Sequence, residues 1–285
     1  MIAGVGLDFV FIDTEHIALD RGILSWMCQT YAALGLPPLV RIPAPDPFAA
    51  CMALDGGAAG IVAPYVETVE QVQALRGAVK LRPLKGARLA AALRDEASLE
   101  PELQSYLERY NSQNTLVINI ESTPAVERLD ELLSVPGVDA VLIGPHDLSC
   151  SLGIPEQYEH RRFEETICRI VRVARQHGVG VGIHAWMGIE RFVPWAGEGL
   201  NIIIHSADVL AMRDKLRLAG VKTGSLQESE CSASSGPDQK MPLYFVSLRI
   251  QMCAEVIAMG PAQDVDVSFV AAHRGNEVVQ VGIGV

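Results

Sequence analysis

The chain of 285 residues is 49% hydrophobic and has a formal net charge of −11, which is enough apolar material for one large core or two modest ones. It has no block of lysine or arginine, so nucleic acid and anionic membrane surfaces are excluded as partners. No stretch approaches the roughly 20 apolar residues of a transmembrane helix, and no basic segment followed by an apolar one opens the chain, so we expect a cytoplasmic protein.

The cysteines give no sign of a disulfide framework or a zinc knot. All six are scattered and none forms a C-x-x-C pair, the spacing that a structural zinc site or a redox motif requires. We therefore expect reduced core or surface thiols at Cys28, Cys51, Cys150, Cys168, Cys231 and Cys253.

From the start of the chain to about residue 220, short apolar runs alternate with amphipathic segments. This alternation predicts βα units and a parallel sheet. Seven strands are predicted, at residues 7–12, 39–42, 60–63, 115–120, 138–143, 179–183 and 201–205. Helices are predicted at residues 67–79, 123–133 and 163–177. The Pro- and Gly-bearing segment 81–97 is longer than a plain connection and is predicted to be an active-site loop.

The composition changes after residue 221, where Ser, Gly and Glu become frequent. We expect residues 1–222 to form one α/β domain, residues 223–240 a flexible linker and residues 241–285 a strand-rich tail. Within the tail, strands are predicted at residues 243–250, 265–271 and 277–283, and a helix at residues 251–259.

The first predicted strand ends in the polar turn Asp13-Thr14-Glu15-His16. Polar residues just past the carboxyl end of a buried parallel strand lie where α/β proteins place their chemistry. His16 is therefore a candidate catalytic base, with Asp13 on the same turn as its simplest partner. The alternative is that His16 is a structural histidine.

Two carboxylates follow neighbouring predicted strands. Glu121 ends the strand 115–120, and Asp147 follows the strand 138–143, so both side chains are expected at the same end of the sheet. Unpaired carboxylates so placed repel each other unless a cation lies between them, and oxygen ligands favour Mg²⁺ or Mn²⁺. The alternative is that Glu121 caps the helix beginning at Thr123 and Asp147 caps a turn.

Arg41 closes the strand 39–42, again at its carboxyl end. A guanidinium there offers a rigid fork for a carboxylate or an enolate oxygen. The alternative is a salt bridge to a neighbouring acid.

The motifs together resemble the HpcH/HpaI aldolase family of metal-dependent class II pyruvate aldolases. The resemblance covers about residues 1–220. It is carried by segments 8–16, 40–43, 54–64, 118–122 and 144–149, which include Asp13-Thr14-Glu15-His16, Val40-Arg41-Ile42-Pro43 and Gly144-Pro145-His146-Asp147. It implies a TIM (β/α)8 barrel of the phosphoenolpyruvate/pyruvate type.

The resemblance also implies roles for individual residues. Glu121 and Asp147 would bind a divalent cation, Mg²⁺ or Mn²⁺ with Co²⁺ as a further candidate. His16 would act as the base, Arg41 would stabilise the enolate, and Asp55 would raise the basicity of His16. From the residues alone, Asp55 is expected at the end of a helix, so it would reach His16 only by an unusual route or across a subunit contact.

Further positions match those that touch the substrate in the family. Asn119 and the His146-Asp147 segment correspond to residues at the pyruvyl end, although Asn119 is one methylene shorter than the glutamine usual there. Arg88 resembles the arginine of the family's G-x-R loop, although Leu89 replaces the glycine that usually follows.

The implied activity is that of a carbon-carbon lyase. It would cleave a 4-hydroxy-2-oxo acid to pyruvate and an aldehyde through a metal-stabilised pyruvate enolate, with a small 2-oxo acid as substrate and a homo-oligomer as the assembled form. Two alternatives stay open. One is a citrate-lyase β-like enzyme acting on an acyl-CoA, and the other is a degenerate barrel that serves as an assembly or binding module.

The first strand of the family's barrel is missing from its usual place, because the Asp-Thr-Glu-His turn lies close to Met1. We expect the tail to supply the missing strand, with the segment 243–250 as the eighth strand. The segment 251–259 resembles the family's first helix, so the tail is alternatively the start of a second copy. An unrelated extension is the third alternative.

Overall fold

The computed structural model describes residues 6–96, 99–218 and 279–282. Within them, eight strands form a closed barrel. Strands β1 to β7 follow one another in chain order with parallel pairing, and β8 lies between β7 and β1. The strands are β1 Val10–Asp13, β2 Pro38–Arg41, β3 Gly60–Ala63, β4 Thr115–Ile120, β5 Ala140–Ile143, β6 Gly180–Ala185, β7 Ile202–His205 and β8 Val279–Gly282. The predicted α/β barrel is confirmed, and all seven predicted strands are present.

The tail supplies the eighth strand, as expected, but from a different segment. Strand β8 falls within the predicted strand 277–283 and pairs antiparallel with both β1 and β7. The prediction that residues 243–250 take this place is wrong, because β8 occupies the edges of both neighbours. The segments 243–250 and 251–259 themselves lie outside the described residues.

The chain divides into two compact units, Met1–Ala211 with Ser268–Val285, and Met212–Val267. All eight strands belong to the first unit. Of the second unit, the structure describes residues 212–218. The predicted linker 223–240 lies outside the described residues, so the predicted domain boundary stays a prediction.

Helices alternate with the strands along the chain. They are α1 Arg21–Ala33, α2 Pro47–Asp55, α3 Val69–Lys80, α4 Gly86–Arg94, α5 Pro101–Asn111, α6 Thr123–Glu127, α7 Leu129–Leu133, α8 Pro145–Ser151, α9 Arg161–Gln176, α10 Phe192–Glu198 and α11 Asp208–Leu218. Helix α9 buries the predicted apolar face, including Ile167, Ile170 and Val171. The predicted helix 123–133 is divided in two at Arg128. In the part of the chain that is described, no helix is both long and apolar enough to cross a bilayer.

The segment 81–97 does not form the predicted active-site loop. It contains helix α4, and Leu81 and Ala92 belong to a small core shared with α5. Lys80, at the end of α3, contacts Asp139 at 2.6 Å, just before the amino end of β5. Helices α4 and α5 therefore follow at the amino ends of the strands, opposite the end at which α/β barrels carry their chemistry.

The barrel interior is filled by apolar side chains from alternate strand positions. Phe11, Val62, Val117, Leu142 and Ile204 are among the buried residues that form this inner cluster. Successive strand residues point to opposite faces, so residues two positions further along point inward as well. At the carboxyl ends of several strands these positions are polar, and this layer forms the floor of the candidate site.

Candidate active site

Several polar side chains of the inner layer are almost completely buried, among them Asp13, Arg41 and Asn119, which are 2%, 7% and 1% exposed. Each of these three lies two residues beyond an apolar residue of the barrel interior and faces the same way. Groups so buried must be paired or hydrogen-bonded, and their partners define the site.

Arg41 is held by two carboxylates from the end of β1. Its Nε and Nη2 donate to Asp13 Oδ1 and Oδ2 at 2.9 and 2.6 Å, and Glu15 Oε2 lies 3.1 Å from Nε. The predicted alternative of a salt bridge to a neighbouring acid is therefore correct. Asp13 thus binds the guanidinium N–H groups for which the sequence suggested a carboxylate or enolate ligand. No hydrogen bond from Nη1 to another described residue accompanies these contacts.

The charges of this pair are mutually stabilised. Burial by itself raises the pKa of Asp13, but hydrogen bonding to Arg41 and its charge outweigh burial and hold that pKa below its ordinary value. Burial likewise acts to lower the pKa of Arg41, and the carboxylates of Asp13, Glu15 and Glu121 raise it overall. Both groups of the pair are therefore ionised at neutral pH.

His16 lies at the mouth of the barrel with its side chain 60% exposed. Asp13 Oδ1 accepts hydrogen bonds from the backbone N–H groups of Glu15 and His16 at 3.0 and 3.5 Å, so Asp13 shapes the turn. This corrects the predicted pairing of Asp13 with the His16 ring. The carboxylate near the ring is Glu15, whose Oε2 lies 3.8 Å from His16 Nε2.

Glu121 follows β4 and is 8% exposed. Its Oε1 accepts from Tyr65 N at 2.7 Å, and its Oε2 accepts from Asn119 Nδ2 at 3.1 Å. Burial, and more weakly the charges of Glu15 and Asp147, raise the pKa of Glu121 against these hydrogen bonds. Ser122 caps helix α6 by accepting from Ala125 N at 3.3 Å, so the predicted alternative of Glu121 as that cap does not apply.

Asp147 lies in the first turn of α8 and is exposed. Gly144, the residue just before this helix, lies between Asp147 and Glu121. A Cβ placed on Gly144 would be 3.1 Å from Glu121 Oε2 and 3.8 Å from Asp147 Oδ2. The two carboxylates thus converge on a space that a side chain at residue 144 would fill.

This space suits a divalent cation with part of its coordination left open. Among the described residues, no group of three or more His, Cys, Asp or Glu side chains is arranged to hold a metal ion, so this part of the chain offers the two carboxylates of Glu121 and Asp147 to the space. Hard oxygen ligands of this kind fit Mg²⁺ or Mn²⁺, which keep several positions for water or substrate. The buried Asn119 Oδ1 beside Glu121 has no hydrogen-bond partner among the described residues, which is expected where a ligand completes the site.

Tyr65 interacts with both Glu121 and Glu15. Its backbone has φ 55°, a left-handed conformation that is uncommon for a bulky residue, and its N–H is donated to Glu121. A hydrogen bond to Glu15 and the charge of that carboxylate raise the pKa of the Tyr65 hydroxyl to about 12. Left-handed backbone at such a residue persists where surrounding contacts enforce it, often at functional sites.

We expect the substitution Glu15→Gln to lower the pKa of Tyr65 from about 12 toward its ordinary value of 10.0, because it removes the negative charge beside the hydroxyl. Ultraviolet titration of tyrosinate, with Tyr65→Phe subtracted to isolate this residue, measures the shift. Glu159→Gln, at an exposed carboxylate paired with Arg191, is the control and should leave Tyr65 unchanged. An unchanged pKa in the Glu15 variant would contradict the contact.

Two predicted residues lie elsewhere. Asp55 ends α2, at the amino ends of the strands, and forms an ion pair with Arg82. Within one chain the structure does not bring Asp55 to His16, and action across a subunit contact stays a prediction. Arg88 lies on α4 at that same end and pairs with Glu100, so it is not at the site of its own chain.

His146 precedes Asp147 on α8 and is at the correct end of the barrel. Its side chain is 49% exposed, and its Nδ1 lies 3.7 Å from Glu156 Oε1. The predicted contact of His146 with a substrate stays a prediction.

Sequence reasoning missed three residues of the site: Glu15, Tyr65 and His184. The ring of His184 packs on Phe11, whose ring also contacts the Arg41 guanidinium. Glu15 belongs to the polar turn that follows β1, the same turn that identified His16. Tyr65 and His184 stand just past the ends of predicted strands, the same signal that identified Arg41 and Glu121. Both positions have apolar neighbours in the sequence, so neither forms part of a polar cluster.

Comparison with known proteins identifies relatives of the chain. The family model described as HpcH/HpaI aldolase/citrate lyase matches residues 1–203. A hydroxypyruvate/pyruvate aldolase from Roseovarius nubinhibens is 30% identical over 219 residues, which cover 76% of this chain and 84% of the relative. A 2-keto-3-deoxy-L-rhamnonate aldolase from Klebsiella pneumoniae is 31% identical over 229 residues, 79% of this chain and 84% of the relative.

A solved structure shows the same architecture. The crystal structure of an HpcH/HpaI aldolase from Desulfitobacterium hafniense DCB-2 matches with a TM-score of 0.66 and 29% identity. The match covers 81% of this chain and 88% of that one. The likeness thus extends over most of both chains.

Proposed function

Because this chain belongs to the HpcH/HpaI aldolase/citrate lyase family, we propose that it is a divalent-metal-dependent aldolase that cleaves a 4-hydroxy-2-oxo acid to pyruvate and an aldehyde. Its relatives are named as aldolases of pyruvate or of a 2-keto acid, which supports a lyase acting on a small acid. The observation that carries the proposal is the convergence of Glu121 and Asp147 beside Arg41 and His16 at one end of the barrel.

Arg41 would orient the substrate. With Nε and Nη2 fixed on Asp13, the guanidinium cannot rotate, and Nη1 offers one positioned donor to the oxygen on which negative charge develops. Because this donor is already in position, no group has to rearrange when negative charge develops on the substrate oxygen. Removing such a donor typically lowers the rate about 100- to 1000-fold. Asn119 would assist, because it holds Glu121 and leaves one buried amide atom for a ligand.

His16 would take the proton of the substrate's 4-hydroxyl. As this proton moves to the imidazole, the C3–C4 bond breaks, its electrons pass to the enolate of pyruvate, and the aldehyde leaves. The enolate then regains a proton at C3 to give pyruvate. The exposed ring can reach a substrate at the mouth of the barrel, and Glu15 at 3.8 Å stabilises the imidazolium that forms.

Glu121 and Asp147 would hold Mg²⁺ or Mn²⁺, which as a Lewis acid polarises the keto group of a 2-oxo acid when it is bound. The carboxylates carry the charge that such a cation needs. Tyr65 and Asn119 fix Glu121 in place through its two oxygens, so the side chain is oriented before any ligand arrives.

The test is pyruvate release from a panel of 4-hydroxy-2-oxo acids, coupled to a dehydrogenase. We expect treatment with EDTA to abolish release and added Mg²⁺ or Mn²⁺ to restore it. Release that EDTA leaves undiminished would contradict the metal dependence alone. If no acid of the panel gives pyruvate with any added metal, the proposed activity is wrong.

A further inference from the structure

His184 is a buried histidine of the barrel interior that the mechanism above does not use. It lies on β6, is 8% exposed, and pairs in register with Ile204 of the inner cluster. Its ring packs on the ring of Phe11 at a centroid distance of 5.6 Å, and the exposed Trp186 stands edge-on to it at 5.9 Å. His184 thus lies between the apolar interior and the mouth of the site.

The ring is neutral, with its lone pair on Nε2. Burial, and more weakly the charge of Arg41, lower the pKa of His184 to about 3. The backbone of Ser206 raises the pKa of His184, as a hydrogen-bond acceptor beside the ring does, and the Ser206 N–H is itself donated to Ala185 O at 3.1 Å. The Ser206 carbonyl is therefore the acceptor, and the donating ring nitrogen is Nδ1, because Nε2 has no partner among the described residues.

The buried acceptor Nε2 of His184 requires a hydrogen-bond donor. A buried polar atom without a hydrogen bond destabilises the folded state, so native proteins rarely keep one unless a ligand or water completes it. The charged and titratable groups that act on His184 are Arg41, Asp13 and His16, which are residues of the candidate site. A ligand in that site is therefore the natural partner of Nε2.

The chemistry of the substrate indicates which part supplies the donor. The pyruvyl part of a 4-hydroxy-2-oxo acid carries a carboxylate and a keto oxygen, which are acceptors only. The 4-hydroxyl is the group that His16 deprotonates. The donors that remain are hydroxyl groups beyond C4, in the part released as the aldehyde.

We propose that His184 is a specificity-determining residue whose Nε2 accepts a hydrogen bond from a hydroxyl at C5 or C6 of the substrate, so that the enzyme prefers hydroxylated aldehydes. This inference rests on the proposed aldolase function. A site built to hydrogen-bond a hydroxyl disfavours the analogue that lacks it, because its own buried polar atom is then left unpaired.

The experiment compares cleavage of 4-hydroxy-2-oxohexanoate with its 5-hydroxy and 6-hydroxy derivatives. For the wild type, we expect kcat/KM to be about 5-fold or more higher for at least one hydroxylated acid, the size of one net hydrogen bond. His184→Phe keeps an aromatic ring on Phe11 but has no acceptor, and should remove this preference by slowing the hydroxylated acid alone. His184→Gln can place an amide oxygen near the position of Nε2 and should restore part of the preference.

A second readout is independent of turnover. In ¹⁵N spectra of histidine-labelled protein at pH 7, the resonances absent from His184→Phe identify the ring, and Nε2 should show the shift of an unprotonated nitrogen. Thermal melting shows that each variant is folded. Equal losses on all three acids, no preference in the wild type, or a protonated Nε2 would each overturn the role of His184. No cleavage of any acid by the wild type would overturn the aldolase function, and this inference with it.

Discussion

Replacing Glu121 with glutamine is expected to lower kcat/KM for pyruvate release roughly 1000-fold, at the upper end of the effect of removing one preorganised electrostatic group. Glutamine retains an oxygen that can accept from Tyr65 N, so the shape of the site survives. The negative charge that a divalent cation requires is lost, and one carboxylate at Asp147 remains. Because burial raises the pKa of Glu121, removing its charge should leave the melting temperature unchanged or higher.

Activity should be measured over a series of Mn²⁺ concentrations, together with Mn²⁺ binding by calorimetry. Glu127→Gln is the matched control, since Glu127 lies on the adjoining helix α6 and is exposed. It should change neither quantity. Wild-type activity and Mn²⁺ affinity in the Glu121 variant would remove Glu121 from the metal site.

The substitution Arg41→Met should destabilise the fold by about 3–5 kcal/mol, because it leaves the buried carboxylate of Asp13 without its partner. The fall in unfolding free energy is measured by urea denaturation at pH 7. Arg161→Met breaks an exposed i,i+4 pair with Glu165, in which Arg161 is 89% exposed, and should cost less than about 0.5 kcal/mol. An equal fall in the free energy of unfolding in the two variants would contradict the conclusion that burial makes the Arg41–Asp13 pair important for stability.

The same pair has a predictable pH dependence. The folded-state pKa of Asp13 is lowered, so its contribution to stability is present above the ordinary value of 3.8 and is lost as the pH falls through the lowered value. The stability difference between wild type and Arg41→Met should therefore narrow in acid.

The substitution Arg41→Lys keeps the positive charge but lacks the planar guanidinium with its several N–H donors. The activity of this variant should fall about 100-fold, because the positioned donor is lost.

The secondary structure of the barrel was predictable because its signals are local. Each of the seven parallel strands is a short apolar run, and the run is apolar because both of its faces are buried. The polar residue after such a run is equally visible, which is why His16, Arg41, Glu121 and Asp147 could be identified from the sequence. The helix α4 was missed, because the Pro and Gly residues before it resemble a loop.

The pairing of these residues was not predictable. The sequence assigned Asp13 to His16, whereas the register of β1 against β2 sets Asp13 opposite Arg41. It could not decide between capping and convergence for Glu121 and Asp147, a choice that depends on Ser122 as the cap and Gly144 between the carboxylates. The eighth strand was assigned to the wrong segment of the tail, because several segments have similar composition.

The sequence by itself determined which residues form strands, which end of the barrel carries polar groups, and to which family the motifs belong. These depend on periodicity and composition, which act over a few residues. The tertiary structure decided that Asp13 holds Arg41, that Tyr65 links Glu121 to Glu15, that His184 Nε2 has no partner among the described residues, and that β8 closes the barrel. These features involve residues far apart in the chain. They form only in the folded protein, where buried polar groups must be paired or hydrogen-bonded.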